Sequence, residues 1–293
     1  MKNNSFIKSH GLGNEYIILD SDNINFGLST NAIKRICNVH FGIGSDGILL
    51  KVPSDKADFG LRIFNPDGSE AEKSGNGLRI FCKFIFDYHF TTSGEFTVET
   101  RGGVVRAKVI ETKNDKATLI SVDMGTAIFS SLDIPVRSDK PEFIAEKITA
   151  GDREFEVNCV SVGNPHCVVI KDQLDVAEIK KYGPLIENHP MFPNRINVQF
   201  AKPIDRKTVQ AIIWERGAGY TLASGSSSCA VACTLLKRGL IDSNPSIVMK
   251  GGTLKIEIDD KWQIRMTGEI KETASGTLSD ELTEVLDIPM IEE

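Results

Sequence analysis

Two serines stand where helices are expected to begin, each followed by glycine: Ser74-Gly75-Asn76-Gly77 and Ser224-Gly225-Ser226-Ser227. A helix start leaves four backbone N–H groups without intrahelical partners and carries partial positive charge, so it binds an anion well. Gly75 and Gly225 remove side-chain bulk and let a ligand approach the backbone closely. Two such ends aimed at one cleft could cradle a single carboxylate from two sides. With an amino acid as ligand, they would also stabilise the negative charge left when its α-proton departs. Phosphate fits less well, because the spacing is not that of a P-loop and no lysine follows. Gly42-Ile43-Gly44-Ser45-Asp46-Gly47 matches GxGxxG, yet it runs into an expected strand instead of opening a helix, so no dinucleotide site is expected there.

The elements that must position these groups come in two sets. Phe64 to Gly77 and Trp214 to Ser227 align without a gap, offset by 150 residues. Each reads strand, aromatic, polar loop, Ser-Gly, helix, which predicts two halves of similar fold. Capping preference is the competing account, since serine is a favoured N-cap. In the first half, strands are expected at 16–19, 48–52, 59–64, 96–99, 104–110 and 117–123, and helices at 31–39 and 75–89. In the second, strands are expected at 155–160, 167–170, 208–214, 254–258 and 262–266. Helices are expected at 226–238 and at 175–182, the latter stopped by Gly183-Pro184. A short amphipathic helix is expected at 279–286.

Composition bounds the classes. The chain has 293 residues, enough for two ordinary domains, with 41% hydrophobic and 25% charged residues, as in a globular protein. The net charge of −6 disfavours a general nucleic-acid binder. No apolar run approaches the ~20 residues needed to cross a bilayer, and the first residues have no apolar signal core. A cytoplasmic protein is expected. Cys37, Cys82, Cys159, Cys167, Cys229 and Cys233 form neither CxxC pairs nor a zinc framework. We expect them reduced and mostly buried, with no metal site. His10, His40, His89 and His189 lack ligand spacing and read as structural or exposed.

Longer strings go further. They are His10-Gly11-Leu12-Gly13-Asn14-Glu15, Gly42 to Gly47, Phe64 to Glu72, Gly75-Asn76-Gly77-Leu78-Arg79, Val162-Gly163-Asn164-Pro165-His166-Cys167, Arg195-Ile196-Asn197-Val198 and Trp214 to Ala223. In this order they resemble the diaminopimelate epimerase family of lysine and peptidoglycan biosynthesis over nearly the whole chain. The resemblance implies an α+β fold of two pseudo-symmetric halves, each a curled, mostly antiparallel sheet around a central helix. It implies halves at 1–122 (with 270–293 returning to it) and 123–269, with the active site in the cleft between them. It also implies interconversion of LL- and meso-diaminopimelate without a cofactor, by two-base proton transfer at the α-carbon. It permits a homodimer.

By the same resemblance, Asn14, Asn65, Asn164, Asn197 and Arg216 bind the distal amino-acid end of the substrate, and Glu215 accepts from its ammonium. Gly75, Asn76, Gly225 and Ser226 offer N–H groups to the carboxylate at the reacting carbon. An arginine fork suits a carboxylate, and amides supply directed donors. Asn65 and Asn164, each before proline, could equally be turn formers, and Ser74 and Ser224 simple caps.

The family's two catalytic cysteines are serines here, Ser74 and Ser224. A free thiol ionises near pH 8.5, an alcohol many units higher, and each unit costs about 1.4 kcal/mol. Three readings stay open. Ser74 and Ser224, activated by His166 and Glu215, transfer protons. Or the geometry is kept and catalysis lost, leaving a binding form. Or the chain isomerises another amino or carboxylic acid. A lyase or dehydratase using the same carbanion is a further class.

Overall fold

The computed structural model describes residues 3–289; the chain ends at 1–2 and 290–293, which the sequence assigns to the N-terminal half, lie outside them. The fold is α+β and divides into two compact units. One takes the chain through Val122 and from Gly268 on; the other takes Asp123–Thr267.

The first unit begins with β1 (Ser5–Gly11), β2 (Asn14–Asp20), α1 (Thr30–Cys37), β3 (Ile48–Val52), β4 (Phe59–Phe64) and β5 (Glu70–Ala71). It continues with α2 (Gly75–Asp87), β6 (Glu95–Thr100), β7 (Gly103–Lys113) and β8 (Lys116–Thr126). Then come β9 (Glu146–Ala150), β10 (Arg153–Ser161), β11 (Pro165–Ile170), α3 (Val176–Glu187), β12 (Asn197–Pro203), β13 (Thr208–Glu215) and β14 (Gly219–Thr221). The chain closes with α4 (Gly225–Lys237), β15 (Ser246–Met249), β16 (Gly252–Ile258), β17 (Gln263–Glu269), β18 (Lys271–Thr277) and α5 (Asp280–Thr283).

Most strand pairs are antiparallel, with parallel pairs at β2–β3, β4–β6, β11–β12 and β13–β15. The central pairings are a register-for-register duplication. Ile48 pairs Phe64 and Ile63 pairs Ala71; 150 residues on, Val198 pairs Trp214 and Ile213 pairs Thr221. The outer hairpins slip by one residue, Ile7 opposite Ile18 but Val157 opposite Val169. A capping preference would not reproduce strand register, so duplication accounts for the aligned segments.

Each unit wraps its sheet around one buried helix. From Gly75 to Ile85 every residue of α2 is buried, because Leu78, Ile80, Phe81, Cys82, Phe84 and Ile85 leave it apolar nearly all round. It packs on β1, β2 and β7. The α4 helix uses small residues, Ser228, Cys229, Ala230 and Ala232, to pack against β10, β12 and β16. The shorter helices cover the outer faces: Ile33 and Ile36 of α1 join Ile17, Ile48 and Phe64 in one core, and Ile179 and Ile186 of α3 join Phe155 and Phe200 in the other.

Two elements differ from expectation. The α3 helix does not stop at Gly183-Pro184 but runs to Glu187, with Pro184 inside it. Buried Tyr182 and Ile186 hold it to the core, and Gly183 admits the indole, since a Cβ there would lie 2.7 Å from Trp214 Cγ. Tertiary packing outweighs the lost hydrogen bond. The 279–286 helix contracts to the single turn of α5. So short a helix has little stability of its own, and buried Leu286 anchors the segment instead. Strands β1, β5, β9, β12, β14, β15 and β18 go beyond the expected strands; β5, β14 and β15 are only two, three and four residues long, and β12 carries polar Asn197 and Gln199 among its buried residues.

The C-terminal end of α2 is fixed by a buried charge. Lys83 Nζ donates to Asp87 Oδ2 and to Ala117 O, both at 2.6 Å, while Asp87 Oδ1 accepts the Ala117 N–H at 2.7 Å. Removing one member of a buried pair strands the other. Lys83→Met is expected to lower stability by about 3 kcal/mol, read from urea unfolding midpoints.

Candidate active site

The two helix starts have the same local construction. Ser74 is extended (φ −137°, ψ 119°), and its Oγ accepts the Gly77 N–H at 3.0 Å. Ser224 is likewise extended (φ −147°, ψ 130°), and its Oγ accepts the Ser227 N–H at 3.4 Å. Both are thus N-caps. Their carbonyls take the N–H groups of Leu78 and Ser228. The amides left at each start belong to Gly75 and Asn76, and to Gly225 and Ser226, the four that the family resemblance assigns to a carboxylate.

In the first unit the site residues form one network. Asn76 Nδ2 donates to Asn14 Oδ1 (3.2 Å), and buried Arg79 donates to Asn76 Oδ1 (2.7 Å). Asn14 Nδ2 in turn donates to Asp46 Oδ2 (2.9 Å), which also accepts the Glu15 N–H (2.9 Å). These bonds fix which end of each amide is the oxygen. The Gly42–Gly47 motif therefore clamps residues 14–16: Ser45 Oγ donates to Glu15 O, and Asp46 N–H to the same carbonyl. Gly47 is needed for space, since a Cβ would lie 2.3 Å from Phe64 O and 2.9 Å from Tyr16 Cε1. Tyr16 Oη lies 3.3 Å from Ser74 Oγ. Asn65 stays in its own turn, donating to Ser69 Oγ at 2.9 Å.

In the second unit, fully buried His166 has both ring nitrogens engaged. Nε2 lies 2.8 Å from Asn164 Oδ1, and Nδ1 lies 3.0 Å from Gln199 Nε2, which also donates to Ser227 Oγ at 2.9 Å. The amide donor on Nδ1 assigns the Nε2–H tautomer. Burial drives the imidazole down to about 3, opposed by the Gln199 contact and assisted by the charge of Arg216. His166 is neutral, orients Asn164, and makes no hydrogen bond with Ser224, whose Oγ meets only Ser226 Oγ (3.5 Å) besides its cap.

Asn197 ties the remaining pieces together, donating to Pro165 O (2.9 Å) and accepting the Arg216 N–H (3.0 Å). The Arg216 guanidinium is braced on Asn194 O (2.9 Å). The loop carrying Glu215 and Arg216 hangs on buried Glu187, which accepts Trp214 Nε1 (2.7 Å) and Gly217 N (3.0 Å). Asp46, Arg79, Glu187, Gln199 and Tyr16 are the supporting residues that sequence reasoning missed. Only Asp46 and Arg79 carried a signal, lying inside the quoted strings.

All six cysteines are buried, and none is in a disulfide. Burial pushes Cys37 up to about 12 and raises Cys82, Cys159 and Cys233 as well, so none of these four is poised as a base. Among the described residues no group of three or more His, Cys, Asp or Glu is placed to hold a metal ion, and no helix is long and apolar enough to cross a membrane.

The family model for diaminopimelate epimerase matches residues 6–130 and 158–272. A protein of Nostoc sp. named diaminopimelate epimerase 2 is 48% identical over 94% of this chain and 96% of its own length. The diaminopimelate epimerases of Acetivibrio thermocellus and Methanococcus maripaludis are each 42% identical, over 92% and 93% of this chain and 97% and 99% of their own. Among solved structures, a hydroxyproline epimerase of Agrobacterium vitis superposes with a TM-score of 0.70 at 12% identity, covering 94% of this chain and 90% of its own. A probable proline racemase of Agrobacterium radiobacter gives 0.68 at 15%, covering 94% and 93%. At such identities these two carry the fold alone.

The buried neutral imidazole sets a pH dependence. Its folded pKa lies below the ordinary value of 6.5, so the unfolded chain binds the extra proton. Stability should therefore fall as pH drops from about 6.5 towards 3, by up to about 1.4 kcal/mol per unit, and hold above that range. His166→Gln should flatten this part of the acid limb in urea unfolding followed against pH.

Proposed function

The chain belongs to the diaminopimelate epimerase family, and from that premise we propose that Ser74 and Ser224 are the two groups that act on the α-carbon of diaminopimelate. It is an isomerase of that family. The observation carrying the proposal is the matched pair of helix starts, each with a cap oxygen beside two amides. Acid–base inversion needs one such group on each face of the carbon. One oxygen takes the α-proton, the carboxylate amides hold the charge that develops, and the other hydroxyl returns a proton from the opposite face. The proton count is unchanged and the configuration inverts.

The readers of a two-ended amino acid support this substrate. Asn14 and Asn76 are polarised by Asp46 and Arg79. Asn164 is oriented by His166, and Asn197 by the Arg216 amide. In this reading His166 and Glu215 position and bind; Arg216 grips the distal carboxylate, and Asn65 frames the loop that faces it. Buried cysteines outside any disulfide suit a reducing compartment, and we extend the proposal to a cytoplasmic location.

One observation favours a second reading. Among the described residues neither serine oxygen hydrogen-bonds a charged group: Ser74 has Gly77 N and Tyr16 Oη, and Ser224 has Ser227 N and Ser226 Oγ. That suits a form that binds the substrate and turns it over slowly. Exchange of the α-proton for deuterium, followed by NMR in D₂O with LL- and meso-diaminopimelate, separates the two. We expect slow exchange in the unsubstituted protein and a rise of at least about 100-fold in the S74C plus S224C variant, as general acid–base catalysis commonly supplies. Binding by calorimetry with no exchange from either isomer would establish the second reading, and absence of binding would remove both.

A further inference from the structure

The two helix starts differ in what stands behind the cap. Tyr16 and His166 are equivalent residues of the duplication, each on the strand that follows the first hairpin turn. His166 reaches Ser227 through Gln199 and leaves Ser224 untouched. Tyr16 places its hydroxyl 3.3 Å from Ser74 Oγ itself. Its ring is buried, with the residue only 7% exposed, and its neighbours fit it closely at Gly47. Apart from the capping amide, the phenol is the one group that hydrogen-bonds Ser74 Oγ among the described residues.

Resting on the isomerase reading above, we propose that Tyr16 is the proton-relay partner of Ser74, so that the group acting on one face of the substrate is a tyrosine–serine pair. The chemistry follows from general acidities. A phenol ionises near pH 10, within about two units of a thiol, whereas an aliphatic alcohol lies far above both. A serine that must become an alkoxide alone is a poor base. A serine bonded to a phenolate need never carry the full charge. As the α C–H bond breaks, its electron pair stays on carbon and spreads into the carboxylate. With Tyr16 present as the phenolate, its own proton already given up to water, the α-proton goes to Ser74 Oγ while the serine's hydroxyl proton passes to Tyr16 Oη. In the return direction Tyr16 O–H donates to Ser74 and Ser74 O–H donates to carbon. Nothing is oxidised or reduced. The capping amide leaves the serine hydroxyl free to point along this line, because it uses only an oxygen lone pair.

The arrangement makes the two faces unequal. Ser224 has another alcohol, Ser226, as its neighbour, and no phenol.

Tyr16→Phe tests the relay in two backgrounds, with α-deuterium exchange as the readout. With Ser74 present we expect a loss of about 100-fold, the size of a typical acid–base contribution. In the S74C background the thiol supplies its own acidity, and the same change should cost less than about threefold. The exchange rate of the unsubstituted protein should also climb with pH towards the phenol range near 10, and the climb should vanish with Tyr16→Phe. Equal losses in both backgrounds would make Tyr16 a packing residue and overturn the relay, as would no loss with Ser74 present. Either result leaves the isomerase reading standing. If the unsubstituted protein shows no exchange while S74C plus S224C does, serine chemistry itself fails and the relay falls with it.

Discussion

A helix buried on every side must still satisfy the amides at its own start. An orphaned buried N–H costs as much as a lost hydrogen bond. Both α2 and α4 face this constraint, with nearly every residue of their first three turns buried. Each meets part of it internally: a serine oxygen takes the N–H of the third helical residue, and the serine carbonyl accepts the first ordinary helical bond. The amides of the first two helical residues remain, and they define where an anion gains most. In the function proposed here, the binding site is the unsolved part of a packing problem, and the cap residue doubles as the reacting group.

The rest of each unit serves that arrangement. Strand register is identical between the units over the strands that lead into the helix starts and slips by one in the outer hairpins. The geometry at the serines is what the duplication preserved. Around it the units diverge in chemistry. The first polarises its asparagines with charged residues, Asp46 and Arg79. The second uses a neutral buried imidazole and an amide, His166 and Gln199. The buried Arg79 guanidinium bonds Gly75 O and Asn76 Oδ1, whereas Asp46 is exposed and bonds Asn14 and the Glu15 N–H at the rim of the same network.

The serine substitutions matter for acidity far more than for structure. A hydroxyl caps a helix well, so nothing in the local fold resists having serine there. The chain retains six cysteines, but all are buried and burial raises the four thiols whose shift is resolved. They act as small apolar residues. Among the described residues, Tyr16 is the titratable side chain that hydrogen-bonds a cap oxygen.

Much was legible in the amino-acid string. The capped starts at Ser74 and Ser224 depend on local pattern and the 150-residue offset on internal repetition, both of which a linear reading captures; the roles of the Asn, Glu and Arg side chains rest on the family resemblance. Other features were not. Pro184 reads as a helix stop, yet α3 passes through it because Tyr182 and Ile186 are held by a core and Gly183 admits Trp214. The Gly42–Gly47 run resembles a phosphate loop, and only the fold turns it into the clamp on Asn14, Glu15 and Tyr16. His166 is expected from the family resemblance to activate a serine, and only the fold shows its ring nitrogens against Asn164 and Gln199. Tyr16 and Ser74 are 58 residues apart. Helix caps and strand periods are short-range and are written in neighbouring residues. Which side chain touches a cap oxygen is set by sheet register and burial, and those are decided only when the whole unit closes.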